Sequence, residues 1–282
     1  MTPKTVLKAV LFVGATFVGG EAPAQQDRTQ DRVAFPAHTI IGNVHYVGTV
    51  TLNAYLITTP QGHILINSNY EDTVPLLRAS VEKLGFAMTD IKIILGSHAH
   101  PDHMQGDAAL KELTGGATVM AMEQDVAALK AMKAPSGKPH PIDRVLTDGE
   151  QVTLGGMTLT AHLTPGHTPG CTTWTTKVAA GGKSYDVVIA CAGLQENVRL
   201  VNNKNYPTIA DDFARSIKTF KALPADVFLG AHSWFFDLAG KYKRLGNATN
   251  PYIDPAGYRA WVDAMEKNYN ATIAEQKKTQ AN

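Results

Sequence analysis

The sequence predicts an α/β fold in which two β-sheets carry helices on their outer faces. Three observations predict it. Strand-like apolar segments and amphipathic helical segments are interspersed along the 282 residues. No repeat of about 20–50 residues and no linker divides the chain, so residues 25–282 are expected to form one compact domain. Hydrophobic residues make up 44% and charged residues 18%, which allows a sizeable core and excludes a coiled coil, a collagen-like fibre or a mainly disordered chain.

The first 24 residues have the pattern of a cleaved secretory signal peptide. Lys4 and Lys8 precede the apolar run Ala9–Val18, and Ala22-Pro23-Ala24 is a small-residue cleavage site. The run is shorter than the about 20 apolar residues that a transmembrane helix needs, which favours export over an uncleaved anchor. We therefore expect a periplasmic or secreted protein.

Charge and cysteine content limit the partners of the mature chain. Cleavage removes two of 26 basic and one of 25 acidic residues and leaves a formally neutral chain. This balance gives no reason to expect a nucleic acid or, after cleavage, a membrane as partner, and it favours a small molecule. Ten His stand beside only two Cys, which excludes a disulfide-rich scaffold and a four-Cys zinc site. In an oxidising compartment Cys171 and Cys191 could pair, and the sequence leaves this open.

The mature chain begins with three predicted strands. Ile40–Val47 and Leu52–Thr58 have strand composition, and the turn Pro60-Gln61-Gly62 leads into a third strand, His63–Asn67. A helix follows, capped by Asp72 or Thr73 and running to Leu84, because its apolar residues recur at helical spacing.

The middle of the chain predicts a buried strand followed by helices. Ile91–Leu95 is a continuous apolar run of strand length. A polar, His-rich loop follows it, and then a helix around Gly106–Leu113. A short strand at Thr118–Ala121 and a helix at Gln124–Lys133 come next.

The second half of the chain is richer in strands. After a Pro-rich loop, three short strands separated by Asp148-Gly149 and Gly155-Gly156 end near His162. The remaining elements, in order, are the strands Cys171–Val178 and Tyr185–Ala190, a helix from Thr208 or Ile209 to Leu223, the strand Val227–Leu229 and a helix from about Pro255.

The loop after Ile91–Leu95 is dense in metal-ligand residues. His98, His100, Asp102 and His103 lie within six residues. In an extended segment the rings of His98 and His100 leave on the same side, and Pro101 then bends the chain, so that Asp102 and His103 aim at a displaced point. The spacing therefore predicts two nearby cations rather than one.

Two further histidines also follow predicted strands. His167 lies in the stiff segment Pro165-Gly166-His167-Thr168-Pro169-Gly170, and His232 follows Val227–Leu229. Five His and one Asp suffice for two sites with three protein ligands each, and an open position is typical of catalytic zinc. Imidazole and carboxylate without thiolate favour zinc, with iron or manganese as alternatives.

These segments resemble a known family. His98-Ala99-His100-Pro101-Asp102-His103 resembles the His-x-His-x-Asp-His signature of the metallo-β-lactamase superfamily. The resemblance extends over Gly42–Gly48, Tyr55–Pro60, Thr164–Trp174, Leu200–Asn203 and Leu223–His232. Together these segments are most similar to class B β-lactamases of the third subclass. The resemblance implies a four-layer αβ/βα sandwich, with two mixed sheets, helices on the outer faces and metals in a groove at one edge of the sheets.

Carried onto this chain, the resemblance implies a site with two Zn²⁺ ions. His98, His100 and His167 would hold the first ion, and Asp102, His103 and His232 would hold the second. Asp102 would also orient a metal-bound hydroxide, which attacks the lactam carbonyl. The resemblance thus implies a zinc-dependent β-lactamase that opens the ring of penicillins, cephalosporins and carbapenems, and we expect it to be an exported monomer.

One departure from related branches concerns the segment after Tyr185–Ala190. Related thioesterases and glyoxalase-like hydrolases usually have a metal-bridging Asp there, whereas this chain reads Cys191-Ala192-Gly193. The departure disfavours the main alternative, a hydrolase of a lactone or thioester with weak β-lactam turnover. A metal-binding protein without catalysis is disfavoured by the complete ligand set. Other β-lactamase subclasses use a Cys on the second zinc and lack a ligand at the position of His103, so we interpret Cys191 as a buried structural thiol, with metal contact as the alternative.

A second departure concerns the substrate. Many third-subclass enzymes place Ser or Thr side chains just after this strand to bind the carboxylate of the drug, whereas Ala192, Gly193 and Leu194 stand here. The candidate replacements are Gln195, Asn197 and Arg199, and the alternative for each is a solvated loop side chain. This departure argues mildly for the lactone or thioester alternative.

The remaining aromatic and imidazole side chains receive structural interpretations. We interpret five histidines as surface or strand-edge residues, with lining of the groove as an alternative for His140: His38, His45, His63, His140 and His162. Trp234, Phe235 and Phe236 either wall the pocket or pack in the core.

Overall fold

The computed structural model describes residues 28–195 and 197–281, with the side chains of 280 and 281 left aside. The predicted signal peptide, residues 1–24, lies outside the described residues. Two β-sheets and the helices that pack on them make up most of the described chain.

The first sheet contains seven strands that lie side by side in chain order. They are β1 (His38–Ile41), β2 (Val44–Tyr46), β3 (Tyr55–Thr59), β4 (Gly62–Ile66), β5 (Ile91–Leu95), β6 (Thr118–Met122) and β7 (Arg144–Leu146). Strands β1 to β4 pair antiparallel, with tight turns joining β1 to β2 and β3 to β4, and β4 to β7 pair parallel.

The second sheet contains five strands in the order β12-β11-β10-β9-β8. They are β8 (Gln151–Leu154), β9 (Met157–Leu163), β10 (Thr172–Ala180), β11 (Lys183–Ala190) and β12 (Val227–Gly230). Neighbours from β8 to β11 are antiparallel, and β11 pairs parallel with β12.

Seven α-helices are present in the described part of the chain. They are α1 (Val74–Lys83), α2 (Pro101–Met104), α3 (Asp107–Leu113), α4 (Val126–Ala131), α5 (Ile209–Ala222), α6 (Leu238–Lys243) and α7 (Pro255–Ala281). None of the described helices combines the length and the apolar character that crossing a membrane would take.

Alternation along the central strands places the sheets between helices. In β5, Ile93 and Leu95 join the core shared with the second sheet, whereas Ile94 packs with Val81 of α1 and its neighbours. Ile91 also packs on the α1 side, because the pairing of β4 with β5 shifts register between Ile91 and Ile93. Helices α5 and α7 cover the second sheet through residues such as Phe220 and Val262. The predicted arrangement of two mixed sheets with outer helices is therefore confirmed.

Two predicted elements differ in detail. The strand expected over Ile40–Val47 is two strands, because the chain turns at Gly42, whose φ is +52° and whose Cβ, if present, would lie 2.6 Å from the Ala179 carbonyl oxygen. The loop expected after β5 contains helix α2, with Pro101 at its first turn, where a missing N–H costs nothing.

The strand directions bring several strand ends to one place. The carboxyl ends of β5 and β6 lie at the same edge of the first sheet, because the two strands are parallel neighbours. In the second sheet β9, β11 and β12 run in one direction, since two antiparallel steps separate β9 from β11. The segments that follow these strands carry the site.

Candidate metal centre

The loop between β5 and α2 is held by hydrogen bonds from several elements. Asn67 accepts from the Ser97 N–H at 2.9 Å, and the Trp174 indole donates to the Gly96 carbonyl at 3.0 Å. The His100 N–H donates to the His98 carbonyl at 2.8 Å, so the backbone turns at this point instead of running extended as expected. The rings of His98 and His100 nevertheless meet edge to face, with centroids 4.8 Å apart.

The first ligand group brings together the three histidines expected for the first metal. Nε2 of His167 lies 3.0 Å from Nε2 of His98 and 3.1 Å from Nδ1 of His100. His98 is buried, whereas His100 and His167 are partly exposed. The group therefore has an open side toward solvent.

The second ligand group brings together the other three expected ligands. Nε2 of His103 lies 3.1 Å from Nε2 of His232 and 3.6 Å from Oδ2 of Asp102. The rings of His98 and His103 are 4.3 Å apart between centroids, so the two groups are neighbours. The structure thus brings all six predicted side chains to one place.

Burial keeps these imidazoles neutral. Removal from water, reinforced by neighbouring imidazoles, holds the pKa values of His98 and His103 well below their usual range and lowers those of His167 and His232 to about 3. A neutral imidazole has a free lone pair, which is the form that binds a metal. The four rings are therefore in the ligand form at physiological pH.

The donor set fits divalent cations. Three ring nitrogens converge in the first group, and a hydrogen bond can satisfy only one pair of them at a time. A bound cation would satisfy the facing lone pairs together, and nitrogen and carboxylate ligands in sets of three suit zinc.

The loop of His167 follows β9 and is tightly packed. The Gly166 φ is +125°, and a Cβ there would lie 2.6 Å from the ring of Phe213. Ser216 of α5 donates to the Pro165 carbonyl at 2.6 Å. This packing fixes the backbone directly before His167.

The segment of His232 follows β12 and is tied to the first sheet. Leu52 forms an isolated β-bridge with His232, and the Asn53 N–H donates to the Ala231 carbonyl at 3.0 Å. Trp234, which is 41% exposed, stacks on the His232 ring at 4.1 Å with an interplanar angle of 17°. Phe236 is buried in the core and Phe235 packs partly buried against it, so core packing is confirmed for these two residues.

Comparisons with known proteins agree with this geometry. The family model of the metallo-β-lactamase superfamily matches residues 47–179. The native FEZ-1 metallo-β-lactamase from Legionella gormanii is 42% identical, with a TM-score of 0.83 over 87% of this chain and 98% of that chain. The chain belongs to the metallo-β-lactamase superfamily.

Other members of the superfamily with solved structures are similar to the chain. BJP-1, a subclass B3 metallo-β-lactamase of Bradyrhizobium japonicum, is 33% identical, with a TM-score of 0.81 over 89% of this chain and 98% of that chain. LRA-12, a class B3 di-zinc metallo-β-lactamase from an Alaskan soil metagenome, is 30% identical, with a TM-score of 0.79 over 88% of this chain and 98% of that chain. The predicted similarity to the third subclass and the prediction of an enzyme of this type are confirmed.

Curated relatives within the superfamily match over shorter regions. A hydroxyacylglutathione hydrolase from Hyphomonas neptunium is 34% identical over 119 residues, which is 41% of this chain and 40% of that protein. The chain spans about half the length, or less, of the first curated relatives that it matches.

The interpretation of Cys191 as a buried structural thiol is right about burial and wrong about the thiol. Cys171 and Cys191 form a disulfide, with their Cα atoms 5.8 Å apart. They can pair because each lies beside the adjacent ends of β10 and β11. One sulfur, Sγ of Cys191, lies 3.5 Å from Nδ1 of His98, so the disulfide borders the first ligand group but offers no thiolate.

The three substrate-binding candidates lie on the loop after β11. Gln195, Asn197 and Arg199 are all exposed. The Arg199 side chain donates to the Val201 carbonyl at 3.2 Å, and Gln276 of α7 holds the neighbouring Leu200 N–H at 2.8 Å. Among the described residues no hydrogen bond or ion pair joins the three side chains to the six ligands. Their role in substrate binding stays a prediction.

Most of the histidines interpreted as surface residues are in fact buried. His38, His45 and His63 are at most 8% exposed, because inward-facing strand positions carry them. His140 lies 3.0 Å from Asp107, with both side chains almost fully buried, and does not line the groove. His162 is partly buried against Thr175.

One functional candidate was missed in the sequence. Asp125 follows β6 and is buried beside the loops of both His98 and His167. Its position in the polar segment Glu123–Asp125, which follows a strand parallel to β5, indicates the same edge of the sheet but not the contacts with the two loops.

Proposed function

We propose that the chain is a dinuclear zinc hydrolase that opens the β-lactam ring of penicillins, cephalosporins and carbapenems. The observation that carries the proposal is the convergence of His98, His100 and His167 beside the second group of Asp102, His103 and His232. Similarity to solved metallo-β-lactamases over most of the chain supports it.

Neutral imidazoles and one carboxylate would hold the two ions. Zinc, when bound, would supply a water nucleophile active near neutral pH and a Lewis acid for the carbonyl oxygen. The first group consists of imidazoles only. Asp102, in the second group, is the one carboxylate among the six proposed ligands. Oδ2 of Asp102 lies 3.6 Å from Nε2 of His103, and the role assigned to this carboxylate, besides ligation, is to accept a hydrogen bond from the attacking water and orient it toward the lactam carbonyl.

Trp234 provides apolar surface next to the second ligand group. Its stacking on His232 fixes one face of the indole, while 41% of the residue remains exposed. We assign this exposed surface to contact with the fused ring system of the substrate, because an aromatic side chain buries large apolar area at low entropic cost.

A thioester or lactone hydrolase is the second candidate, and the similarity to hydroxyacylglutathione hydrolases favours it. The end of β11 weighs against it. Ala190 leads into Cys191 and Ala192, so this position offers no carboxylate to bridge two ions, and the cysteine is engaged in the disulfide.

Hydrolysis assays decide between the two candidates. Purified residues 25–282 are assayed with a carbapenem, a cephalosporin, a lactone and a thioester, with and without a chelator. Rapid, chelator-sensitive turnover of the lactams is expected. Protein that binds two zinc ions and cleaves only the thioester or lactone would refute β-lactamase activity.

Export of the enzyme is part of the same proposal. The predicted signal peptide would deliver the mature chain to the periplasm or the medium. Amino-terminal sequencing of protein from cell fractions is expected to begin near residue 25 in an exported fraction, and full-length protein in the cytoplasmic fraction alone would contradict this.

A further inference from the structure

Asp125 is a buried carboxylate outside both proposed ligand groups. It follows β6 and precedes α4, and only 2% of the residue is exposed. Its Oδ2 accepts from the Ala99 N–H at 2.8 Å and from the Thr168 hydroxyl at 2.9 Å. Its Oδ1 accepts from the Gly170 N–H at 2.8 Å.

These three hydrogen bonds join the two loops that form the first ligand group. Ala99 lies between His98 and His100, whereas Thr168 directly follows His167. Outside the proposed ligands, no other single side chain of the described residues hydrogen-bonds to both of these loops. The two oxygen atoms of this carboxylate therefore join the two loops that carry the three imidazoles.

The surroundings of Asp125 require an ionised carboxylate of this size. All three partners are donors, so an ionised carboxylate, which only accepts, matches them, whereas an amide would place a donor against a donor. A Cβ on Gly170 would lie 2.5 Å from Cγ of Asp125, so the second loop approaches closely because that residue is glycine. Burial raises the pKa of Asp125, and the three donors oppose this effect.

We propose that Asp125 is a positioning residue that holds His98, His100 and His167 in their convergent arrangement before a metal binds, and thereby sets the zinc affinity of the first group. The inference rests on the proposed metal centre. Outer partners of metal ligands commonly affect metal affinity by about 10–100-fold. Here the carboxylate acts through backbone and hydroxyl donors beside the ligands and not through the imidazoles themselves.

The test compares Asp125→Asn with a matched control, Asp143→Asn. Asp143 precedes β7 and lies beside the first residues of β6, at the opposite end of that strand from Asp125. Asp143 also accepts a backbone hydrogen bond, from the Val119 N–H at 2.8 Å, and it pairs with Lys111 far from the ligand loops. Zinc affinity is measured by competition with a chromophoric chelator. We expect Asp125→Asn to weaken one of the two zinc sites by about 10–100-fold, and Asp143→Asn to change neither.

A metal-free measurement reports the loop connection directly. Amide hydrogen exchange of Ala99 and Gly170 is followed by NMR in chelator-treated protein. Asp125→Asn is expected to reduce the protection of at least one of the two amides. Thr168→Val, which removes one donor, is expected to weaken the same zinc site, while Thr168→Ser restores it. The effects of Asp125→Asn and Thr168→Val should be less than additive, because both act on one hydrogen bond.

The outcomes separate this inference from the proposed function. If the unaltered protein binds no zinc, the proposed metal centre fails. If the unaltered protein binds two zinc ions and Asp125→Asn binds them equally well, with unchanged protection at Ala99 and Gly170, the positioning role is refuted. A loss of thermal stability in Asp125→Asn with full zinc affinity would also refute it, since this would be a structural role alone.

Discussion

The ten histidines form two groups of five, each with buried and partly buried members, that differ in what their ring nitrogens face. At the site, Nε2 of His167 faces Nε2 of His98 and Nδ1 of His100, and Nε2 of His103 faces Nε2 of His232. Outside the site, ring nitrogens face oxygen atoms or backbone groups. His38 contacts the Pro36 carbonyl at 2.7 Å and the Tyr252 hydroxyl at 2.6 Å.

The comparison shows that burial and a low pKa do not identify a metal ligand. Burial lowers the pKa of His45 to about 4, close to the value of about 3 reached by His167 and His232. His45 nevertheless has ordinary partners, since its Nδ1 lies 3.0 Å from the Thr39 hydroxyl. The feature specific to the site is that ring nitrogens of different histidines face one another, so that hydrogen bonds alone cannot satisfy all of their lone pairs.

The largest expected effect comes from removing one facing nitrogen. His232→Ala should remove about one zinc ion per chain and reduce kcat/KM by more than about 100-fold, because a three-ligand site tolerates little loss. Zinc content by plasma mass spectrometry and carbapenem hydrolysis measure the two effects. His162→Gln is the control, since His162 faces only the Thr175 hydroxyl, at 2.8 Å, and should retain both ions. Two zinc ions and full activity in His232→Ala would remove His232 from the ligand set.

The second effect concerns the disulfide beside the first ligand group. Replacing Cys171 and Cys191 by Ser together should lower the free energy of unfolding by about 3 kcal/mol, because the bond closes a loop with a sequence separation of 20. Urea unfolding of zinc-free protein measures this change. The first group should keep its zinc ion, because its three proposed ligands are imidazoles and both sulfurs are bonded to each other. Loss of that ion at unchanged stability would instead assign the sulfurs to the metal centre.

How much of this site was predictable depends on how local its signals are. His98, His100, Asp102 and His103 are close in sequence, and His167 and His232 follow strands, so the six candidate ligands were predictable before the fold was known. Their division into two groups was implied by the family resemblance. The strands and helices were predictable from periodicity to within a few residues, except where close contacts decide, as at Gly42. Helix α6 was missed because it is short, contains Gly240 and starts from Asp237 in a left-handed conformation.

The role of Asp125 could not be predicted, because its partners lie 26 and 43 residues away in sequence. The same holds for the pairing of Cys171 with Cys191, which depends on the register of β10 and β11. Side chains whose function is to connect separate loops have no periodic or motif signal. They become recognisable only when the strand order places those loops at one edge.

The third effect concerns the exposed ring that stacks on His232. Trp234→Ala should raise KM for a cephalosporin by about tenfold, or about 1.4 kcal/mol, through lost apolar contact, and should change kcat less. Steady-state kinetics separate the two constants. Both zinc ions should be retained, because Trp234 contributes no ligand atom and contacts the second group only by stacking on the face of the His232 ring. An unchanged KM with a reduced zinc content would make Trp234 a support for the ligand and not a substrate contact.

The smallest effect tests the other side of the comparison, a buried histidine without a metal. The folded pKa of His45 is about 4, chiefly because of burial and secondarily because of His63 and His38, against a usual value near 6.5. The unfolded chain therefore takes up a proton at His45 that the folded chain does not, and stability falls as the pH drops from about 6.5 toward 4. With allowance for solvent screening, His45 should account for about 1 kcal/mol of the loss between pH 7.5 and pH 5.

His45→Gln carries no titrating group at this position. Its free energy of unfolding, measured with urea on chelator-treated protein, should therefore fall by about 1 kcal/mol less than that of the unaltered protein over the same pH interval. Equal losses in both proteins would mean that His45 is protonated in the folded state, and its hydroxyl partners would then be insufficient to keep a buried imidazole neutral.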